Sequence, residues 1–212
     1  MKKILTIATI VLFGLSVKAQ DASQGLKGAW FATSQFGYQQ TKSGDTKGTN
    51  LTVLPIVGTF ITPSIAVGAG LGYINIKSET DAKTAANTNL FVIQPLVRKY
   101  WNVAGSLYFF GQLALPVITG KEKESNLKVN QVGLSVSGGF DYFVTKNFSV
   151  EFSYDLANFT STTLKPENGE KTTVTNFGLA HVANVDSYYN TALAGSAPNL
   201  TTPLSVGFKF VF

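Results

Sequence analysis

The sequence predicts an all-β chain: eight antiparallel strands closing into an up-and-down transmembrane β-barrel behind an N-terminal signal peptide. Three observations carry this. A basic, then apolar leader ends at a small-residue cleavage site. Eight segments of the remaining chain fit the period-two strand template, and none is an apolar run long enough for a spanning helix. The connections between those segments alternate strictly between short and long.

The leader sets the compartment. Lys2 and Lys3 precede an apolar stretch of 14 residues, Ile4 to Val17, and Val17-Lys18-Ala19 places small residues three and one positions before Gln20. Cleavage between Ala19 and Gln20 assigns residues 1–19 to the signal peptide and 20–212 to one barrel domain. A membrane anchor would need about 20 apolar residues, more than this run supplies. Lys2, Lys3 and Lys18 leave with the leader, so the formal charge falls from +5 to +2. No basic cluster is dense enough to track phosphates along a strand, which sets nucleic-acid binding aside. With no cysteine, disulfide staples and thiolate metal sites are excluded. The 16 Phe, 8 Tyr and 2 Trp, with 20 Gly, fit a barrel with aromatic girdles.

The strands follow in order. Gly28–Gln40 sets Trp30, Ala32, Phe36 and Tyr38 against Thr33, Gln35 and Gln39. Leu51–Ile61 is almost wholly apolar, and its facing is ambiguous. Ile65–Ile76 opposes Ile65, Val67, Ala69, Leu71 and Tyr73 to Ala66, Gly68, Gly70 and Gly72. Asn89–Trp101 opposes Phe91, Ile93, Pro95 and Val97 to Gln94, Arg98 and Tyr100. Ser106–Val117 turns Leu107, Phe109, Leu113 and Leu115 outward. Val129–Phe143 sets Val132, Leu134, Val136, Phe140 and Tyr142 against Gln131, Ser135, Ser137 and Asp141. Phe148–Phe159 is the clearest, with Phe148, Val150, Phe152, Tyr154 and Leu156 opposite Ser149, Glu151, Ser153 and Asp155. Thr202–Phe212 is the last.

Thr62-Pro63-Ser64, Asn102–Gly105 and Val144–Asn147 are tight turns. Thr41–Asn50, Lys77–Thr88, Thr119–Lys128 and Ser161–Thr201 are longer polar connections. Such alternation is expected of periplasmic turns and extracellular loops. Phe60-Ile61-Thr62-Pro63-Ser64-Ile65-Ala66-Val67 also aligns with Phe143-Val144-Thr145-Lys146-Asn147-Phe148-Ser149-Val150, as a repeated hairpin unit would. The aromatics beside these turns (Phe60, Tyr100, Trp101, Phe143, Phe148) are expected to form the periplasmic girdle. Within the 161–201 loop, Thr172–Val182 alternates weakly and is expected to extend the last hairpin rather than add a ninth strand.

The chain ends Leu204-Ser205-Val206-Gly207-Phe208-Lys209-Phe210-Val211-Phe212, with Leu204, Val206, Phe208, Phe210 and Phe212 on one face. This resembles the terminal strand of outer-membrane proteins. Together with Gly70-Leu71-Gly72-Tyr73, Arg98-Lys99-Tyr100-Trp101 and Gly138-Gly139-Phe140-Asp141-Tyr142-Phe143, it is similar to small barrels of the OmpA/OmpX type, the outer-membrane β-barrel domain family. The resemblance covers nearly all of residues 25–212. It implies a Gram-negative outer-membrane location, with Phe208, Phe210 and Phe212 as the signal read by the barrel-assembly machinery.

Arg98, the only arginine, shares its strand face with Gln94 and Tyr100 and is expected inside the barrel. Glu151, Asp155, Asp141 and Lys209 are expected there too. Arg98 and Glu151 each lie four residues from a short turn (Asn102 and Asn147), so their heights should match. An eight-stranded interior is just wide enough to be filled by side chains. Buried charges there must pair, which predicts a plug. His181, the sole histidine, has Asp186 and Ser187 near it in sequence, but nothing in the spacing makes them a catalytic triad. Gly68-Ala69-Gly70-Leu71-Gly72 lacks the spacing and following helix of a nucleotide loop; inward glycines making room for bulky neighbours explain it better.

The leading expectation is therefore a non-enzymatic barrel with a structural or surface-interaction role and no metal or cofactor. Its expected partners are outer-membrane lipid and lipopolysaccharide, the assembly machinery, and an extracellular ligand met by the loops. Competing readings are a small-solute or hydrophobic-ligand channel, a lipid-modifying barrel enzyme, and a soluble lipocalin-like binder, which would bury apolar side chains inside and show polar ones outside.

Overall fold

The computed structural model describes residues 26–81, 83–179 and 204–212. The leader, the Ala19–Gln20 cleavage site, and His181, Asp186 and Ser187 lie outside the described residues. The described chain is all strand: β1 Trp30–Ser43, β2 Thr46–Phe60, β3 Ile65–Thr80, β4 Lys83–Ala104, β5 Leu107–Ala114, β6 Val117–Glu122, β7 Lys128–Thr145, β8 Phe148–Lys165, β9 Thr172–Leu179 and β10 Leu204–Val211.

These ten segments form eight staves. Proline has no N–H to give a ladder, and Leu115-Pro116 divides one stave into β5 and β6. Both halves lie between β4 and β7, and Leu115 N to Pro95 O (3.0 Å) and Gly133 N to Pro116 O (2.8 Å) keep the stave continuous. β9 and β10 share the same edge of β8, β10 along Phe148–Tyr154 and β9 along Ala157–Leu164. Thr172–Leu179 thus lengthens the last hairpin, as expected. The barrel closes where β10 meets β1 at Phe31–Val211, Ala32–Phe210 and Thr33–Lys209, and Trp30 and Phe212 exchange backbone hydrogen bonds of 3.1 and 2.8 Å.

Two polar connections prove to be strand. β1 and β2 pair to Ser43–Thr46 around Gly44 (φ 57°), and β3 and β4 pair to Thr80–Lys83, so most of Thr41–Asn50 and Lys77–Thr88 is hairpin. A ladder rooted in the barrel keeps satisfying backbone groups beyond the lipid, and Thr, Asn and Lys fit an exposed strand as well as a loop.

The outward faces form a belt. On β4, Phe91, Ile93, Pro95, Val97 and Trp101 face out and are exposed. Ten residue steps at about 3.3 Å and a tilt of about 40° make about 25 Å, the height of a membrane-facing apolar band. The inward faces are apolar too. β2, ambiguous in sequence, turns Leu54, Ile56 and Phe60 in and Val53 and Val57 out. Leu54, Ile74, Leu90, Val92 and Ile118 are buried in the lumen. An apolar interior therefore does not single out a soluble binder, because here both faces of the sheet are apolar. The inward glycines do make room: a Cβ on Gly58 would lie 2.4 Å from the Phe31 ring, and one on Gly72 2.6 Å from Leu54 Cδ1.

The girdle expectation needs correcting. Trp101 and Phe148 do face outward, but Phe60 and Tyr100 are buried in the lumen and Phe143 points inward toward Lys209. Strand parity decides this: the three fall on the same side of their strands as Arg98 and Asp141.

Candidate functional site

The lumen is layered from the end that carries the short turns. Phe31 and Phe60 meet edge to face at 5.9 Å, and Phe60 packs on Tyr100 at 5.3 Å, making an aromatic floor. On it sit the charges. Arg98 from β4 reaches Glu151 on β8 through two bonds, Nη1–Oε2 at 2.5 Å and Nη2–Oε1 at 3.0 Å. Its Nε and Nη2 also donate to Gln112 Oε1 at 3.0 and 2.6 Å, and Gln112 donates to Ser137 Oγ at 3.4 Å. Lys209 from β10 is paired with Asp141 on β7, and its Nζ lies 3.7 Å from Glu151 Oε2. The Tyr100 hydroxyl joins the two pairs, accepting from Arg98 Nη1 and from Lys209 Nζ, both at 3.1 Å.

Two cations and two carboxylates make the cluster formally neutral. Each cation also faces aromatic rings: Arg98 Cζ is 4.2 Å from the Phe110 centroid, and Lys209 Nζ is 4.9 Å from Tyr100 and 5.2 Å from Phe143. Asp141 and Lys209 are fully buried and Arg98 is 4% exposed. Ring faces and paired carboxylates replace the water that these groups lose, which lets ions persist in a low-dielectric interior. Above them the aliphatic layer fills the barrel. Nearer the outer rim, Thr162 Oγ1 donates to Gln131 Oε1 at 2.9 Å.

The structure brings four of the six polar residues expected inside the barrel into one cluster: Arg98, Glu151, Asp141 and Lys209. Gln94 is buried four residues above Arg98 but bonds to none of them. Asp155, opposite Ser137, is half-buried and also apart. The matched heights of Arg98 and Glu151 hold. Sequence reasoning missed the Tyr100 hydroxyl as the link and Phe110 as the face under Arg98. Their inward parity with Arg98 and Gln112 was the available signal.

A second polar centre lies outside the membrane. Glu122, at the end of β6, accepts from the backbone N–H groups of Asn87 (3.0 Å), Glu124 (2.9 Å) and Ser125, and from the Ser125 hydroxyl. Burial works against its charge, but these donors outweigh burial and pull the carboxyl down to about 2. Asn126, in the left-handed region at φ 55°, donates through Nδ2 to Glu167 at 2.6 Å and so joins the two neighbouring long connections.

The chain matches the family model described as outer membrane protein beta-barrel domain over residues 7–183. Comparison with curated proteins gives no match. Among solved structures it is similar to the outer membrane protein OprG from Pseudomonas aeruginosa, with a TM-score of 0.50 and 13% identity, covering 91% of this chain and 99% of that one. It is also matched to the translocator domain of the autotransporter NalP from Neisseria meningitidis, with a TM-score of 0.41 and 14% identity, over 83% of this chain and 64% of that one.

Proposed function

The chain belongs to the outer membrane protein β-barrel domain family and resides in the outer membrane, and from that premise we propose that it is a closed anchor whose work is done at the cell surface. The barrel holds the protein in lipid, and its extended extracellular hairpins meet ligands or neighbouring surfaces. The observation that carries this is the paired charge cluster inside the lumen. The Arg98–Glu151 and Lys209–Asp141 pairs, wrapped in Phe31, Phe60, Tyr100 and Phe110, occupy the space through which a solute would pass. A neutral cluster in which each cation already has a carboxylate leaves a passing ion no uncompensated charge to bind. The leader is removed on export, Phe208, Phe210 and Phe212 serve insertion, and no catalytic chemistry is assigned.

The second reading, a channel for small or apolar solutes, draws on the aliphatic layer in the outer half of the lumen. Leu54, Ile74, Leu90 and Val92 are each no more than 2% exposed. Side chains so buried fill a space rather than line one, which favours the anchor.

Two measurements on the full protein test the proposal. Liposomes carrying the refolded barrel should swell in sugars no faster than protein-free liposomes, and Asn126→Cys should react with a membrane-impermeant maleimide on intact cells. Rapid swelling, or labelling only after cell rupture, would overturn it.

A further inference from the structure

The outer face of β6, β7 and β8 changes character in horizontal rows. Val117 and Val132 lie opposite each other at the top of the apolar belt. Next comes a row of Thr119, Asn130 and Thr163, with Thr119 Oγ1 donating to Asn130 at 2.8 Å. Above it, Lys121 is paired in register with Lys128, and Lys128 with Lys165. Directly opposed residues of antiparallel strands point to one face with Cβ atoms about 4.5–5.5 Å apart. Three ammonium groups therefore stand side by side on the exposed, lipid-facing side, four residues above the last valines.

Like charges directly opposite one another destabilise a sheet. Elsewhere in the described chain Lys209 is paired with Asp141 and Lys77 with Glu79, and the one other opposed pair, Lys42 and Lys47, has Glu79 in register with Lys47 on its other side. None of Lys121, Lys128 and Lys165 has a carboxylate within ion-pair distance among the described residues. The nearby Glu122 turns inward to its four donors, and Glu167 is held by Asn126. Four residue steps on a tilted strand set the backbone of the row about 10 Å above the apolar edge, a height from which lysine side chains reach down to the head-group layer. The row is also one-sided: around β2 and β3 the corresponding charges are mixed, with Lys47 opposite Glu79.

We propose that the Lys121–Lys128–Lys165 row binds the phosphates of a phosphorylated outer-leaflet glycolipid, seating its head group against one side of the barrel. The acyl chains would lie along the Val117, Val132 and Leu134 face, and the anion would relieve the repulsion that the register imposes. This rests on the outer-membrane location and not on the closed lumen, so a conducting barrel would leave it intact.

The test uses the full barrel in phosphatidylcholine nanodiscs, offered either diphosphorylated lipid A or the same lipid stripped of phosphate, with retained lipid counted by native mass spectrometry. The wild type should retain the diphosphorylated form preferentially. The Lys121→Gln/Lys128→Gln/Lys165→Gln variant should bind it about a hundredfold more weakly, given the attraction expected per lysine at an anionic surface. A charge-matched Lys42→Gln/Lys47→Gln/Lys83→Gln variant should behave as wild type, and heat-modifiable mobility verifies that each variant is folded. Equal retention of the two lipids, an equal loss in both triples, or displacement of the lipid by dilute inorganic phosphate would each overturn the proposal.

Discussion

Arg98 and Glu151, on β4 and β8, clasp each other across the lumen through two parallel bonds of 2.5 and 3.0 Å. A planar guanidinium against a carboxylate is the geometry in which a buried pair best offsets its desolvation. The bond joins strands that are not neighbours in the sheet, so it cross-braces the wall and sets both side chains in the bore.

Removing one partner should cost far more than removing both. Arg98→Met leaves Glu151 and Asp141 to share the single cation of Lys209, with one buried negative charge uncompensated, and should lower unfolding stability in detergent by about 3–5 kcal/mol, as breaking a buried pair does. Adding Glu151→Leu should recover most of that loss. Urea titrations of both single variants and the double variant give the coupling; simple additivity would mean the two groups do not depend on each other.

Gly58 should be as intolerant as a core residue although it has no side chain to lose. A Cβ there meets the Phe31 ring at 2.4 Å and Val67 O at 2.5 Å. Gly58→Ala should therefore lower the heat-modification temperature, at an overpacking cost of about 1–3 kcal/mol. Gly44→Asn, in a left-handed turn that asparagine tolerates, should leave it unmoved.

The Glu122 clasp should respond to acid. Glu122 has its pKa lowered to about 2 in the folded protein, against about 4.3 when unfolded. Its contribution is then complete above the unfolded value and is lost as pH falls through the folded one. Protection of the Asn87, Glu124 and Ser125 amides, taken relative to their intrinsic exchange rates, should fall between about pH 4 and pH 2, and Glu122→Gln should flatten that dependence. Identical profiles for the two proteins would remove the carboxylate from the explanation.

Phe212 closes the barrel through its backbone, while its ring ends the outward aromatic row of Phe208 and Phe210. Phe212→Ser keeps those backbone bonds. It should refold in detergent like wild type yet accumulate less in cells as the heat-modifiable form. Equal accumulation would take the ring out of assembly.

What the sequence made legible follows parity. Arg98, Glu151, Asp141 and Lys209 sit inside because their strands alternate cleanly, and the two short turns fix the height at which Arg98 meets Glu151. Tyr100 and Phe60 were drawn to the girdle because an aromatic beside a turn fits either place until the facing of its strand is fixed. The facing of β2 was hidden because Val53, Leu54, Ile56 and Val57 are apolar on both sides, one set for lipid and one for the core. The lysine row was hidden for another reason: Lys121, Lys128 and Lys165 become neighbours only through cross-strand register, which spacing along the chain does not encode.

Planar-bilayer recording of the refolded wild-type barrel tests the closed lumen most directly. The pairing of Arg98 with Glu151 and of Lys209 with Asp141 predicts a baseline indistinguishable from the protein-free bilayer, with Arg98→Ala raising a steady current. A wild-type barrel that already conducts steadily, at a level Arg98→Ala does not change, would contradict it.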